Sequence, residues 1–113
     1  MLTVKQLTSE LKLEVIAGYK NSEIEIKGVY IGDLLSWVMA HIKKQDVWIT
    51  IQTNINIIAV AALGEASCII VAENADIEES TITKANEEGI PLLKSSLSAY
   101  EIAVNINRLL EVK

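Results

Sequence analysis

Phenylalanine is absent from this sequence, and cysteine, proline and histidine occur once each. A lone cysteine, Cys68, excludes an intramolecular disulfide. With His41 as the sole histidine, on a different predicted element, no His/Cys metal set can form. Aromatic residues make up 4% of the chain, so the core must be built from Ile, Val, Leu and Ala. That is the usual filling of a buried parallel sheet covered by helices. Cationic side chains are the minority, ten Lys and Arg against fifteen Asp and Glu, a net charge of −5. The cations are scattered, with Lys43-Lys44 the only adjacent pair, so nucleic acid is not an expected partner. Long apolar runs are missing too. The longest, Ile55 to Leu63, is broken by Asn56 and closed by Gly64-Glu65, well short of the roughly 18 residues of a membrane span. Met1 to Lys5 has no signal-peptide character, which sets the expectation of a cytoplasmic protein away from any membrane.

What is present fits one α/β domain over residues 1–113, half of them hydrophobic. Thr3 and Gln6 have capping-box spacing and open a short helix over Val4 to Leu11. Lys12 to Ala17 is a predicted strand ending at Gly18, and Tyr19 to Glu23 a polar turn. Ile24 to Lys27 alternates with period two, as a half-buried edge strand does. Asp33 is predicted to open a helix to about Ile42, with Leu34, Leu35, Val38 and Met39 on its apolar face. Val47 to Ile51 is the next strand, followed by a helix to Leu63 capped by Asn54 or Asn56. Cys68 to Ala72, apolar throughout, is predicted to be central. Asp76 and Glu79 form a second predicted box, for a helix ending at Gly89 before Pro91. Leu92-Leu93-Lys94 is a short strand, and Ser98 with Glu101 opens a final helix buried along Ile102, Ile106, Leu109 and Leu110. This alternation predicts a mainly parallel sheet of about four to five strands with helices on both faces.

In such a sheet, ligands bind beyond the carboxyl ends of the strands. Four polar turns qualify: Gly28 to Asp33, Gln52 to Asn56, Glu73 to Asp76, and Ser95 to Ser98. The candidate ligand-binding residues among them are Gly32, Gln52, Thr53, Asn54, Glu73, Asn74 and Ser95. Catalytic equipment is lacking. No P-loop or dinucleotide fingerprint is present, and Asp33 beside Gly32 would repel a phosphate. Ser95, Ser96 and Ser98 have no evident base, and His41 fits a solvated helix end. Asp76, Glu78 and Glu79 are explained by helix capping without a metal. Trp37 and Trp48, with Tyr30, fit either core packing or an apolar surface shared between subunits.

The run Gly28-Val29-Tyr30-Ile31-Gly32-Asp33-Leu34-Leu35-Ser36 resembles the strand-to-helix segment of DRTGG domains. So do Val47 to Leu63, Cys68 to Ala85 and Glu88 to Leu93. The name-giving motif is altered. Asn54-Ile55 stands where the family places Asp-Arg, and Ala72-Glu73-Asn74 where it places Thr-Gly-Gly. The resemblance implies an α/β domain similar to the N-terminal domain of HPr kinase/phosphorylase, which lacks the kinase active site. Such domains occur beside CBS domains in some pyrophosphatases, beside phosphotransacetylase catalytic domains, and near iron-only hydrogenase subunits. The expectation is a non-catalytic regulatory or sensor module, homodimeric, with no cofactor, binding a small metabolite or nucleotide at the strand-end turns. The alternative is an interaction subunit that docks onto a larger metabolic or redox enzyme and has no small-molecule ligand.

Overall fold

Half of the sheet residues alternate between two apolar layers, and that alternation explains the architecture. In the computed structural model, which describes residues 1–112, the elements run α1 (Val4–Glu10), β1 (Glu14–Ala17), a 3-10 turn (Tyr19–Asn21), β2 (Gly28–Ile31) and α2 (Leu35–His41). There follow β3 (Asp46–Thr50), α3 (Asn56–Leu63), β4 (Cys68–Val71), α4 (Glu79–Glu88), β5 (Leu92–Lys94) and α5 (Ala99–Val112). The strand order is β1-β5-β4-β3-β2. Strands β2 to β5 are mutually parallel, and β1 is antiparallel to β5. Every residue of β3 and β4 is buried, as the apolar run Cys68 to Ala72 predicts for a central strand.

One face of the sheet carries Val47, Ile49, Cys68, Ile70 and Leu93, packed with Val4 and Leu7 of α1 and Ile102 and Ile106 of α5. The other carries Trp48, Ile69, Val71 and Leu92, packed with Val38 of α2, Ile57, Ile58 and Ala61 of α3, and Ala85 of α4. Helices therefore cover both faces, in the expected mainly parallel α/β arrangement. All three crossovers from β2 to β5 step one strand in the same direction, and their helices lie on one face. After β5 the chain returns to the face that α1 covers.

The boxes at Thr3/Gln6 and Ser98/Glu101 form as predicted. Three local expectations are corrected by tertiary partners. Ile24 to Lys27 is not a strand of the sheet. Its backbone bonds to the N-terminal segment instead, Ile26 N–H to the Leu2 carbonyl and Val4 N–H to the Ile24 carbonyl, with a single bridge between Thr3 and Glu25. The true strand begins at Gly28. Asp33 is not in a helix either. Its carboxylate accepts from the Thr50 hydroxyl at 2.8 Å and the Ile51 N–H at 2.9 Å, and α2 begins two residues later. Of that helix's expected apolar face, Val38 is buried, while Leu34 and Met39 are exposed. The Asp76/Glu79 box does not form, because α4 begins at Glu79 with Glu78 as its cap residue. There the Thr53 carbonyl accepts from the Thr81 hydroxyl at 2.7 Å and from the Glu78 N–H. No described helix is long and apolar enough to cross a membrane.

Candidate functional site at the strand ends

The carboxyl edge of the sheet divides into two halves of different character. At the ends of β2 and β3 the polar side chains satisfy one another. Gln52 donates to the Asp33 carbonyl at 2.9 Å and accepts from the Asn54 side chain at 3.1 Å. Asn54 Oδ1 accepts from the Asn56 N–H at the first residue of α3, but the cap residue is Ile55 with no side-chain cap bond, which corrects the expected Asn54 or Asn56 cap. Thr53 holds the start of α4 through its carbonyl. Gly32 uses both backbone groups, its N–H on the Ile49 carbonyl and its carbonyl on the Trp48 indole N–H. The expected ligand residues Gly32, Gln52, Thr53 and Asn54 thus form a latch that joins loops, with little left to offer a ligand. Apolar side chains surround the latch on the surface: Ile31, Leu34, Trp37, Ile51 and Ile55 are all exposed, Leu34 at 67% and Trp37 at 60%.

At the ends of β4 and β5 the arrangement is open. The two turns are joined by backbone bonds, Glu73 N–H to the Leu97 carbonyl and Asn74 N–H to the Ser95 carbonyl, both at 2.9 Å. Beside them lies a cavity of about 410 Å³ lined by Asn74, Ser95, Ser96, Lys94, Lys12 and Glu14 among others. That volume is within the roughly 300–1,000 Å³ of small-molecule sites. Of the expected ligand residues, Asn74 and Ser95 line it, and Glu73 does not. A larger hollow, about 610 Å³, runs along the free edge of β2 beneath α5. Apart from Lys27 and Asn107 its lining residues are apolar or aromatic, so the smaller cavity carries the richer polar chemistry.

Lys12, Lys94 and Ser96 were not legible as site residues. Lys12 and Lys94 meet only because β1 runs antiparallel beside β5, with Glu14 opposite Lys94. The expectation of a mainly parallel sheet does not say that β1 is antiparallel or that it lies beside β5. The one available signal was a lysine at the close of each element, after α1 and at the end of β5.

The expected subunit-interface trio separates. Trp48 lies wholly within the core, which corrects its candidacy for an interface. Tyr30 is half-buried, and Trp37 is exposed, its ring stacked on His41 with centroids 4.3 Å apart.

Cys68 is buried in β4, and burial pushes its thiol up to about 12, partly offset by the Ser67 hydroxyl. It is a core group and not a nucleophile at neutral pH. The shift fixes a pH dependence. Above about pH 9 the unfolded chain releases this proton, and the folded chain keeps it until about pH 12. The unfolded state then binds fewer protons, so stability falls by about 1.4 kcal/mol per pH unit across that window. Cys68→Ala removes this slope. Parallel alkaline denaturation curves for the two proteins would show the thiol titrating alike in both states.

The DRTGG domain family model matches residues 6–109. Among solved structures, the chain is similar to the CBS and DRTGG domains of the regulatory region of Clostridium perfringens pyrophosphatase, complexed with the activator diadenosine tetraphosphate. The TM-score is 0.66 at 13% identity, and the match covers 85% of this chain and 42% of that one. The chain therefore spans under half of the length of that structure. Among curated proteins there is no significant match. In the turn after β4, Glu73 and Asn74 have φ angles of 57° and 55°. Both lie in the left-handed region that glycine enters at least cost. The match over residues 6–109, nearly the whole chain, places it in the DRTGG domain family.

Proposed function

We propose that this DRTGG domain is a non-catalytic regulatory module. It works as a homodimer and senses a small metabolite or nucleotide in the cavity at the ends of β4 and β5. The observation that carries this reading is that cavity itself. It lies at the carboxyl ends of parallel strands, where α/β sheets hold ligands, and beside the point where the chain leaves β5 for the face that α1 covers. The pyrophosphatase region of similar fold, bound to a nucleotide activator, supports a regulatory role over a catalytic one. Among the described residues no cluster of His, Cys, Asp and Glu is placed to hold a metal, and the buried thiol is inert. The exposed Leu34 and Trp37, beside the unpaired edge of β2, support self-association, because large apolar side chains are enriched at interface anchors.

The test is solution mass together with thermal stability against nucleotides, nicotinamide and flavin cofactors, and acyl phosphates. The expected mass is that of a dimer, reduced to a monomer by Trp37→Glu. A ligand specific for the folded state raises the melting temperature, and further as its concentration exceeds its Kd, and Asn74→Ala abolishes the rise. A dimer that no compound stabilises would refute the sensor reading and favour a subunit that docks onto a larger enzyme.

A further inference from the structure

The side chains of the strand-end cavity narrow the class of compound it takes. Lys12 and Lys94 both line it, one following α1 and one ending β5. Among the described residues neither ammonium has a carboxylate within ion-pair distance, although Lys5, Lys44 and Lys84 all do. Asn74 contributes an amide that makes no side-chain hydrogen bond to a described residue. Ser95 Oγ accepts from the Leu97 N–H, which leaves its own proton to donate, and Ser96 is exposed at the rim. Donors thus outnumber acceptors: two ammoniums, an amide and two hydroxyls face one carboxylate, Glu14. A second hollow, about 340 Å³, shares Leu11 and Lys12 with the first and adds Arg108. The two hollows together are lined by three cations and two carboxylates, Glu14 and Glu10, in a chain whose net charge is −5. No aromatic ring lines either hollow, so nothing there stacks on a base.

Lys12 holds a φ of 52° just after the α1 cap residue Leu11, a place where glycine is the least strained choice. A lysine kept there puts a charged residue in the cavity's lining at the expense of local backbone comfort.

We propose, building on the strand-end cavity as the ligand site, that it binds a small phosphate-bearing anion. Lys12 and Lys94 supply the charge, and Asn74, Ser95 and Ser96 the remaining hydrogen bonds. Three terminal oxygens and a charge near −2 match this donor set, whereas a carboxylate offers two oxygens and one charge. Glu14, with Glu10 in the adjoining hollow, disfavours a long polyanion and selects a single phosphoryl group.

The test is an amide NMR titration of the full chain with inorganic phosphate, glycerol 3-phosphate, succinate and glycerol. Saturable shifts are expected at Lys12, Asn74 and Lys94 to Leu97 with the two phosphates, weaker with succinate and absent with glycerol. Lys94→Gln and Lys12→Gly should each weaken phosphate binding at least tenfold, and Glu14→Gln should tighten it severalfold. Lys12→Gly also relieves the left-handed strain, so its melting temperature should hold or rise, which separates lost binding from lost folding. Phosphate affinity unchanged from that of the unsubstituted protein in both lysine variants would overturn the proposal. Binding of an uncharged panel compound at the same amides, with the phosphates inert, would overturn the anion class and leave the cavity as a sensor site. If no compound moves these amides, the phosphate-anion proposal fails, while the sensor reading stands or falls on the nucleotide and cofactor panel.

Discussion

Gly18→Ala is expected to be the most damaging single-methyl substitution in this protein. Gly18 closes β1 with φ at 66°, and its N–H donates to Asn86 Oδ1 at 2.8 Å. An added Cβ would land on the Ile90 carbonyl oxygen and within 2.8 Å of the Ala85 carbonyl oxygen. Both are backbone atoms at the close of α4, so no side chain can swing aside. Left-handed strain costs about 1–2 kcal/mol and overpacking about 1–3 kcal/mol more. Against a total stability of about 5–15 kcal/mol for a domain of this size, the sum is a large share. The expected result is a melting temperature lower by roughly 15 °C or more, or no folded protein at all. Gly89→Ala is the control. Gly89 has the same φ, 66°, but its added Cβ would meet only the Asn21 side-chain amide, at 3.3 Å. It should pay the strain alone. Equal losses for the two variants would mean that β1 is not pressed against the end of α4 as described.

Trp48→Ala should follow closely, at about 3–5 kcal/mol, the usual cost of emptying a buried aromatic site. Trp48 is fully buried between β2 and β4, and its indole N–H donates to the Gly32 carbonyl at 2.9 Å. Trp48→Phe keeps most of the volume and removes the donor, so it isolates the orphaned carbonyl at about 1–3 kcal/mol. Trp37→Ala is predicted to leave the protomer's own stability within about 0.5 kcal/mol, as substitutions at exposed positions do. Denaturant titration at two protein concentrations separates the pair. The Trp48→Ala loss should not depend on concentration, and any Trp37→Ala loss should, since it acts through association. A concentration-independent loss at Trp37 as large as that at Trp48 would contradict the exposure of its ring.

The two tryptophans also show where the sequence was legible. Trp48 lies in an apolar strand, and Trp37 on a helix with apolar neighbours, yet one is core and the other surface. Periodicity places residues on faces, but α2 is so short that little beyond Val38 reaches the sheet. Element order, the central position of β4 and two of three capping boxes followed from local pattern, because those features depend on residues close in sequence. The missed features all depend on partners far away. Asp33 answers to Thr50 and Ile51, the start of α4 to Thr53, and Ile24 to Lys27 to the N-terminal segment. The candidate site divided in the same way. Turn positions such as Asn74 and Ser95 were visible, whereas the latch around Gln52 and the lysines across β1 and β5 required the folded neighbourhood.

The one-directional winding from β2 to β5 has a bearing on how the sheet assembles. Each of its three parallel pairings joins strands that are consecutive in the chain, separated by one helix. The entropy of closing a loop grows only slowly with length, but it must be met before the contact forms. For most of this sheet the closing segments are short. The long closure is confined to β1 and β5, where the first strand of the chain meets the last. That single nonlocal seam, with Lys12 and Glu14 on one side and Lys94 and Ser95 on the other, borders the strand-end cavity, so the cavity is completed only once the two ends of the fold have come together.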